Sequence, residues 1–493
     1  MRQQLETADR VRRKVATKTS QKHKAEFGQF LTPSTIARFM ASLFPTSTAH
    51  VCKLLDAGAG VGALSCAFLD RWMAGGFNFN SIEATAYEID DNLRSHLEHH
   101  LNGYEGVTSN VIAGDYIDLT TADDLFRMKQ PSGYTHAILN PPYKKISSNS
   151  AHRLALRRAG IETVNMYSAF VALAVKQLAP GGQIVAIIPR SFCNGPYYHP
   201  FRNFILERAA VRHMHLFASR SKAFRDDQVL QENIIIRLER DGQQGPVAIS
   251  TSTDDTFSDL VTHEYSFDRI VFPDDPARFI HVPTSPVENA MELSDEIRCT
   301  LADLGIKVST GPVVDFRLKD YLSDMPGKNT VPLLYPCHFT STGTLWPING
   351  AKKPNAITRN ENTEKWLYPN GFYCVVRRFS SKEEKRRIVA SVVEPASFDN
   401  VPVLGFENHL NIFHDNKKGL PEALARGLSV FLNSTAVDEI FRRFNGHTQV
   451  NATDLKRMKY PSRETLIKLG EWAKQQGALT QAQIDAQLGI LIT

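Results

Sequence analysis

With 493 residues, 42% of them hydrophobic and 22% charged, the chain is long enough for about three domains and too apolar to be disordered. Cys52, Cys66, Cys193, Cys299, Cys337 and Cys374 form no CxxC pair, which argues against a disulfide frame or a cysteine zinc site and leads us to expect reduced thiols in a cytoplasmic protein. A net charge of +5 permits a polyanionic partner without requiring one, and neither an apolar leader nor a bilayer-length apolar run is found, so no membrane association is expected.

Residues 1–27 predict a basic helix with Arg12, Arg13, Lys14, Lys18, Lys22 and Lys24, either a solvated face or a phosphate-contacting lip. In GQFLTP (28–33), Thr32 and Pro33 are placed as N-cap and first-turn proline of a helix from Ser34 to Phe44, with Ile36, Phe39, Met40 and Leu43 on its buried face. A strand from Lys53 to Asp56 then enters DAGAGVGAL (56–64), whose Gly58, Gly60 and Gly62 let backbone approach a ligand closely. Ala84–Tyr87 is a second strand ending in Glu88-Ile89-Asp90, where an acid can accept from both hydroxyls of a ribose. The third, Val111–Ala113, leads to Asp115, a candidate acceptor for an adenine amino group. Taken singly, each acid reads equally well as a helix cap or a solvated turn.

A fourth short apolar run, Ala137-Ile138-Leu139, is stopped by Asn140-Pro141-Pro142-Tyr143. Two prolines cannot continue a ladder, so the chain leaves the sheet as a stiff loop at the end where open α/β sheets bind ligands. There the Asn140 amide oxygen and the Pro141 carbonyl are two rigid acceptors, able to grip both hydrogens of one planar amino group. Tyr143 offers a face on which the base bearing that group can stack. The alternative is a plain proline-rich turn.

Next come an amphipathic helix over 165–182 stopped by Pro180-Gly181-Gly182, a fifth strand over 183–189, and a loop from Arg190 to Pro200. A sixth strand is expected over Val211–Phe217 and a seventh over Asn233–Leu238. Between these two, Phe224 is either tucked into the core or a second aromatic wall opposite Tyr143. From about residue 241 the alternation gives way to short polar segments, and a boundary near 285 separates a domain 1–285 from a domain 286–493 that opens on a helix-like stretch, 286–305. In the second domain Arg377, Arg378, Arg442 and Arg443 lie among aromatics, a pattern that suits nucleic-acid contacts and charged strand edges equally. His96, His99, His100, His213 and His215 have no carboxylate or cysteine partners in the pattern and predict no metal site.

In this order GQFLTP (28–33), DAGAGVG (56–62), YEID (87–90), GDY (114–116), NPPY (140–143) and the Phe224 loop resemble the amino DNA methyltransferases of the gamma arrangement. With STGPVVDFR (309–317), VVRRFSSKEEKRRIVA (375–390) and FNGHTQVNATDL (444–455), the chain resembles the BsuBI/PstI-type adenine-specific modification methylases of restriction–modification systems. The resemblance implies a Rossmann-like methyltransferase domain with a mostly parallel seven-stranded sheet, followed by a mixed α+β target-recognition domain. It implies S-adenosylmethionine as methyl donor, double-stranded DNA as substrate, and a separate cognate restriction endonuclease as partner.

By position, Phe30, Thr32 and Pro33 would hold the methionine end of the donor, and Asp56, Gly58 and Gly60 would line its backbone path. Glu88 would take the ribose, Ile89 would pack on the adenine, Asp115 would bind its amino group, and Asn140 would adjoin the methyl. Asn140 and Pro141, followed by Pro142 and Tyr143, would be the catalytic motif, with Tyr143 and Phe224 sandwiching a flipped adenine. No metal is required, because the leaving group is already cationic. A cytosine-ring methyltransferase would need a Pro-Cys nucleophile, and Cys193 lies in SFCNG. A glutamine or RNA methyltransferase shares NPPY but usually lacks a basic, aromatic C-terminal half. A non-catalytic specificity subunit would not need the cofactor motifs. With 27 residues ahead of GQFLTP, no fused nuclease is expected.

Overall fold

A twisted sheet forms the first of two units, Met1–Pro286 and Val287–Thr493, into which the chain divides in a computed structural model. The structure describes residues 4–18, 31–47, 49–123, 133–218, 232–283, 296–340, 343–380, 384–398, 401–445 and 449–492. Strands β1 (Val51–Ala57), β2 (Ser81–Glu88), β3 (Val107–Ala113), β4 (Tyr134–Leu139), β5 (Leu178–Pro189), β6 (Ala209–Phe217), β7 (Asn233–Arg240), β8 (Val247–Ser252) and β9 (Val261–Tyr265) stand in the order β3-β2-β1-β4-β5-β7-β6-β8-β9. From β3 to β5 all pairings are parallel; β7 runs antiparallel between β5 and β6. This is the Rossmann-like methyltransferase arrangement that the motifs imply, with two strands more than the seven expected. Those two, β8 and β9, fall in the stretch read as short polar segments. β8 is half Ser and Thr, and most of β9 is exposed on the sheet edge, so no apolar alternation marks β9.

Both faces of the sheet are covered, and alternate residues feed opposite cores. Ala137 and Leu139 of β4, with Ile184, Ala186 and Ile188 of β5, pack with the helix Met166–Gln177. Ile138, Val185 and Ile187 face the other way, into the core shared by the helices Ser34–Ser42 and Ala63–Met73. Each fully buried side chain of this kind contributes ~1.5–3 kcal/mol of transfer free energy.

Several local expectations change. The helix Met166–Gln177 is buried on all sides from Met166 to Val175 rather than amphipathic. It ends at Gln177, and Leu178 already begins β5; Pro180-Gly181-Gly182 form an irregularity in the β4–β5 register rather than a separate turn. Part of the segment expected as a loop from Arg190 to Pro200 is helical, with two short 3₁₀ turns leading into the helix His199–Arg208. At the N-terminus, the helix Gln4–Lys18 is not uniformly solvated on its basic side, because Arg12 is 2% exposed and bonds Asp9 at 2.7 Å.

The second unit holds β10 (Lys307–Thr310), β11 (Leu322–Ser323), β12 (Thr330–Leu334), β13 (Phe339–Thr340), β14 (Gly343–Thr344), β15 (Ala356–Thr358), β16 (Leu367–Pro369), β17 (Tyr373–Arg377), β18 (Ala390–Val393), β19 (Val403–Phe406) and β20 (Leu410–His414). They form sheets β10-β20-β17-β18 and β11-β15-β12-β19-β16, with a small β13–β14 pair. Helices from Glu422 onward pack on the first of these around Leu424, Leu428, Phe431 and Leu466, giving the mixed α+β unit expected. The described part of the helix-like opening, 296–305, is turns instead. The Asp303 carboxylate accepts from the Thr300 N–H and hydroxyl, both at 2.8 Å, and such local bonds compete with a helix.

Candidate active site

In an open α/β sheet the crevice forms where strand order reverses. Here the chain winds outward from β1 to β3 and then crosses to β4, so the reversal lies between β1 and β4. A cavity of about 450 Å³ opens at that point, within the range of small-molecule sites. It is lined by Gly58 and Gly60 after β1, Glu88 and Ile89 after β2, Asp115 after β3, and Asn140 and Pro142 after β4. Six of the expected donor-binding residues (Gly58, Gly60, Glu88, Ile89, Asp115 and Asn140) thus meet in one space. Gly60 sits at φ +58°, a left-handed backbone that calls for glycine.

The Asn140 amide is oriented from the side. Its Nδ2 donates to the Thr32 hydroxyl at 2.9 Å. Its Oδ1 accepts from the Tyr143 hydroxyl at 3.2 Å, and that hydroxyl also lies 3.2 Å from the Ile187 carbonyl. Thr32 is therefore not the N-cap expected from GQFLTP. Pro33 takes that position, and the Thr32 side chain is turned to Asn140. Pro141 is buried and Tyr143 half-buried; neither lines the cavity, and the Tyr143 ring meets Tyr167 edge-on at 6.3 Å. Burial moves the Tyr143 phenol well above its ordinary range, so it acts as a neutral donor.

The acids at the strand ends divide into two kinds. Glu88 is 3% exposed; its two oxygens accept from the Gly60 N–H at 2.7 Å and the Asp90 N–H at 2.8 Å, locking the glycine turn to β2. Burial raises its pKa against those bonds. Asp56 lies outside the cavity lining, 1% exposed, and accepts from the Ser65 hydroxyl at 2.6 Å and N–H at 3.2 Å. Burial pushes its pKa up to about 7, opposed by the Ser65 bonds and assisted by Glu88. Its side chain thus anchors the helix Ala63–Met73 rather than contacting a ligand in the cavity. Asp115 caps the helix Tyr116–Asp123 through Oδ1 at 2.8 Å from the Ile117 N–H, and Oδ2 lies 3.3 Å from His152.

Phe30 and Phe224 lie outside the described residues. The four arginines proposed from composition are engaged within the second unit. Arg377 pairs with Glu384, Arg378 reaches the Asn408 carbonyl at 3.2 Å and Gln449 at 3.3 Å, Arg442 bonds Asp438 at 2.7 Å, and Arg443 is only 6% exposed. His213 and His215 share the Ser250 hydroxyl at 2.7 and 2.8 Å, and burial lowers their pKa values to about 4 and about 3. His100 is buried against the Val61 carbonyl at 2.8 Å.

Sequence reasoning missed the segment that closes the cavity. Lys144, Lys145, Ser147 and His152 line it, together with Phe170 from the helix Met166–Gln177. The three side chains Asp115, Asp118 and His152 come within reach of one another here, a grouping that 34 to 37 residues of separation hide in the sequence. Also unforeseen is Arg190, which pairs with Glu232 at 2.8 Å, each side chain 2% exposed, tying the exit of β5 to the entry of β7. Breaking such a buried pair costs ~3–5 kcal/mol.

Residues 55–224 match the profile of the Eco57I restriction-modification methylase family. The chain is 52% identical over 500 aligned positions to the type II methyltransferase M.BsuBI of Bacillus subtilis, covering 100% of this chain and 99% of the relative. It is 42% identical to the type II methyltransferase M.PstI of Providencia stuartii, covering 97% and 95% of the two chains. Among solved structures, the DrdV–DNA complex aligns at 12% identity with a TM-score of 0.52, over 95% of this chain and 59% of that one, a likeness of fold.

Proposed function

Because the chain belongs to the type II restriction–modification DNA methyltransferases typified by M.BsuBI and M.PstI, we propose that it transfers a methyl group from S-adenosylmethionine to the exocyclic amino group of an adenine flipped out of double-stranded DNA. The modification would protect that DNA from a separate cognate restriction endonuclease. On this reading 1–285 binds the donor and performs the chemistry, and 286–493 selects the target site. The observation that carries it is the Asn140 amide: its nitrogen is occupied by Thr32, which leaves Oδ1 as the acceptor at a cavity edge formed by four strand ends.

The cavity fits the donor in chemistry as well as size. The backbone at Gly58 and Gly60 leaves room for close approach, Glu88 and Asp115 supply carboxylates for hydroxyl and amino hydrogens, and Ile89 and Phe170 supply apolar surface. When bound, S-adenosylmethionine supplies an electrophilic methyl on a cationic sulfur.

Asn140 Oδ1 and the Pro141 carbonyl accept the two amino hydrogens of the target base. They hold the nitrogen in place and draw its lone pair out of conjugation with the ring. As positive charge grows on that nitrogen, both acceptors become better matched, which lowers the barrier selectively. The Tyr143 phenol, kept neutral by burial, fixes Oδ1 without adding charge. One proton then leaves the methylated nitrogen for solvent. A base inside a duplex cannot reach these acceptors, so extrusion is required at a few kcal/mol, and aromatic stacking on Tyr143 returns ~1–3 kcal/mol.

The test is to express the chain in a host lacking other adenine methylation and to sequence its DNA with modification-sensitive reads. N6-methyladenine at one recurrent short sequence is the expected result; unmodified adenine throughout would overturn the reading.

A further inference from the structure

Described residues of three strings scattered over the second unit, Val313 of 309–317, Arg378 of 375–390 and Gln449 and Val450 of 444–455, converge on a short turn, Glu407-Asn408-His409, between β19 and β20. The Asn408 N–H donates to the Val313 carbonyl at 2.9 Å, and the Arg378 N–H donates to the His409 carbonyl at 2.8 Å. Arg378 also reaches Gln449, and the Val450 N–H returns to the Arg378 carbonyl at 2.7 Å. Packing is tight enough that a Cβ on Gly311 would stand 2.1 Å from the Glu407 carbonyl oxygen.

At the centre of this turn, a carboxylate with no exposure holds a surface imidazole. Glu407 accepts from His409 Nδ1 at 2.6 Å and from the His409 N–H at 2.9 Å, while the His409 side chain is 39% exposed. Burying a carboxylate to fix an exposed ring costs desolvation that a structural turn does not need. The arrangement sets the ring plane and turns Nε2 away from the carboxylate; among the described residues Nε2 has no partner. Phe379 lies against the same ring at 4.8 Å, and Phe316, 64% exposed, stands beside Arg317. Two cations stand near the turn: Lys353, which pairs Asp315 at 2.7 Å and feels the Glu407 carboxylate, and Arg378, held by Asn408 and Gln449. A fixed polar atom backed by an exposed aromatic, with cations nearby, is complementary to the edge of a base pair flanked by phosphates.

We infer that His409, oriented by Glu407 and backed by Phe379, is a specificity-determining residue that reads one base pair of the recognition site through Nε2. The inference rests on the proposed DNA methylation and deepens it, since the sequence suggested arginines for this role and the structure engages those within the unit. Glu407 is a positioning residue in this arrangement, and Gln449 fixes Arg378 on the flank.

The test follows mapping of the methylated sequence for the wild-type protein. Methylation kcat/KM is then measured on the cognate duplex and on duplexes each carrying one substituted base pair, for wild type, His409→Ala and the fold-conserving His409→Gln. Donor binding and thermal unfolding of each variant report whether the chain is folded. The expected result is a loss of discrimination of on the order of tenfold at one base pair, with discrimination elsewhere and the salt dependence of binding retained. Equal weakening on every duplex with a shallower salt slope identifies a phosphate contact and overturns base reading. Wild-type discrimination in both variants overturns it as well. In either case methylation by the wild-type protein still stands, whereas a wild-type protein that methylates no DNA refutes the parent reading instead.

Discussion

The two polar clusters of this chain, one at the carboxyl edge of the first unit's sheet and one at the 407–409 turn of the second, are built by opposite means. At the sheet edge each functional group follows directly from the end of a strand, and its position is set by backbone that the sheet already fixes. At the turn no single segment carries the arrangement: residues from 311 to 450 meet only once the two sheets that β19 and β20 join have formed. On the proposed function, chemistry that must be the same for every target would sit on the rigid sheet, and a surface that must differ between targets would be assembled from loops, where side chains can change without disturbing the strands.

The sharpest way to break that comparison is at Asn140. Asn140→Ala is expected to lower single-turnover methyl transfer by on the order of 10²–10³-fold or more, because it removes an acceptor aimed at developing charge. DNA binding by the same variant should stay within a few-fold of wild type. Turnover within threefold of wild type would contradict the assigned role.

Thr32→Val sharpens it at one remove. The substitution keeps shape but takes away the acceptor for Asn140 Nδ2, freeing the amide to rotate. A net hydrogen bond worth ~1 kcal/mol predicts about a fivefold fall in kcat with little change in KM for DNA. A change in KM alone would mean that Thr32 does not orient Asn140.

An effect on stability rather than on turnover separates support from chemistry. Asp56 has its pKa raised to about 7 by burial, so the folded state binds its proton more tightly than the unfolded chain. Its contribution to stability is therefore fully present below the ordinary carboxylate range and is lost as pH rises toward and through about 7. Relative to Asp56→Asn, the wild-type protein should lose stability over that window with a slope of at most ~1.4 kcal/mol per pH unit. Parallel stability curves for the two proteins would show that Asp56 is ionised when folded.

Much of the first unit could be read from the chain because its signals are local. DAGAGVG, YEID, GDY and NPPY each join a short apolar run to a turn and a polar group, which marks four strands, and plain apolar runs mark three more. What escaped was set by distance or exposure. β9 presents too few buried residues to alternate, the His152–Asp115 contact closes only when 144–158 folds over the cavity, and Arg190 finds Glu232 across 42 residues. Thr32 reads as a cap from its position before Pro33, and its hydroxyl instead accepts from a tertiary partner, Asn140. In the second unit the arginines draw attention by charge, yet Arg377, Arg378 and Arg442 are bonded within it, while the His409 ring is held 39% exposed by the buried Glu407.

The central claim is that two fixed oxygens after β4 activate an adenine amino group. Its most direct measurement is the identity of the modified nucleoside: a duplex carrying the mapped site is incubated with the protein and S-adenosylmethionine, digested to nucleosides, and resolved by mass. The account predicts N6-methyldeoxyadenosine from the wild-type protein and none from Asn140→Ala. Methyl groups found only on cytosine, or an undiminished yield from the variant, would contradict it.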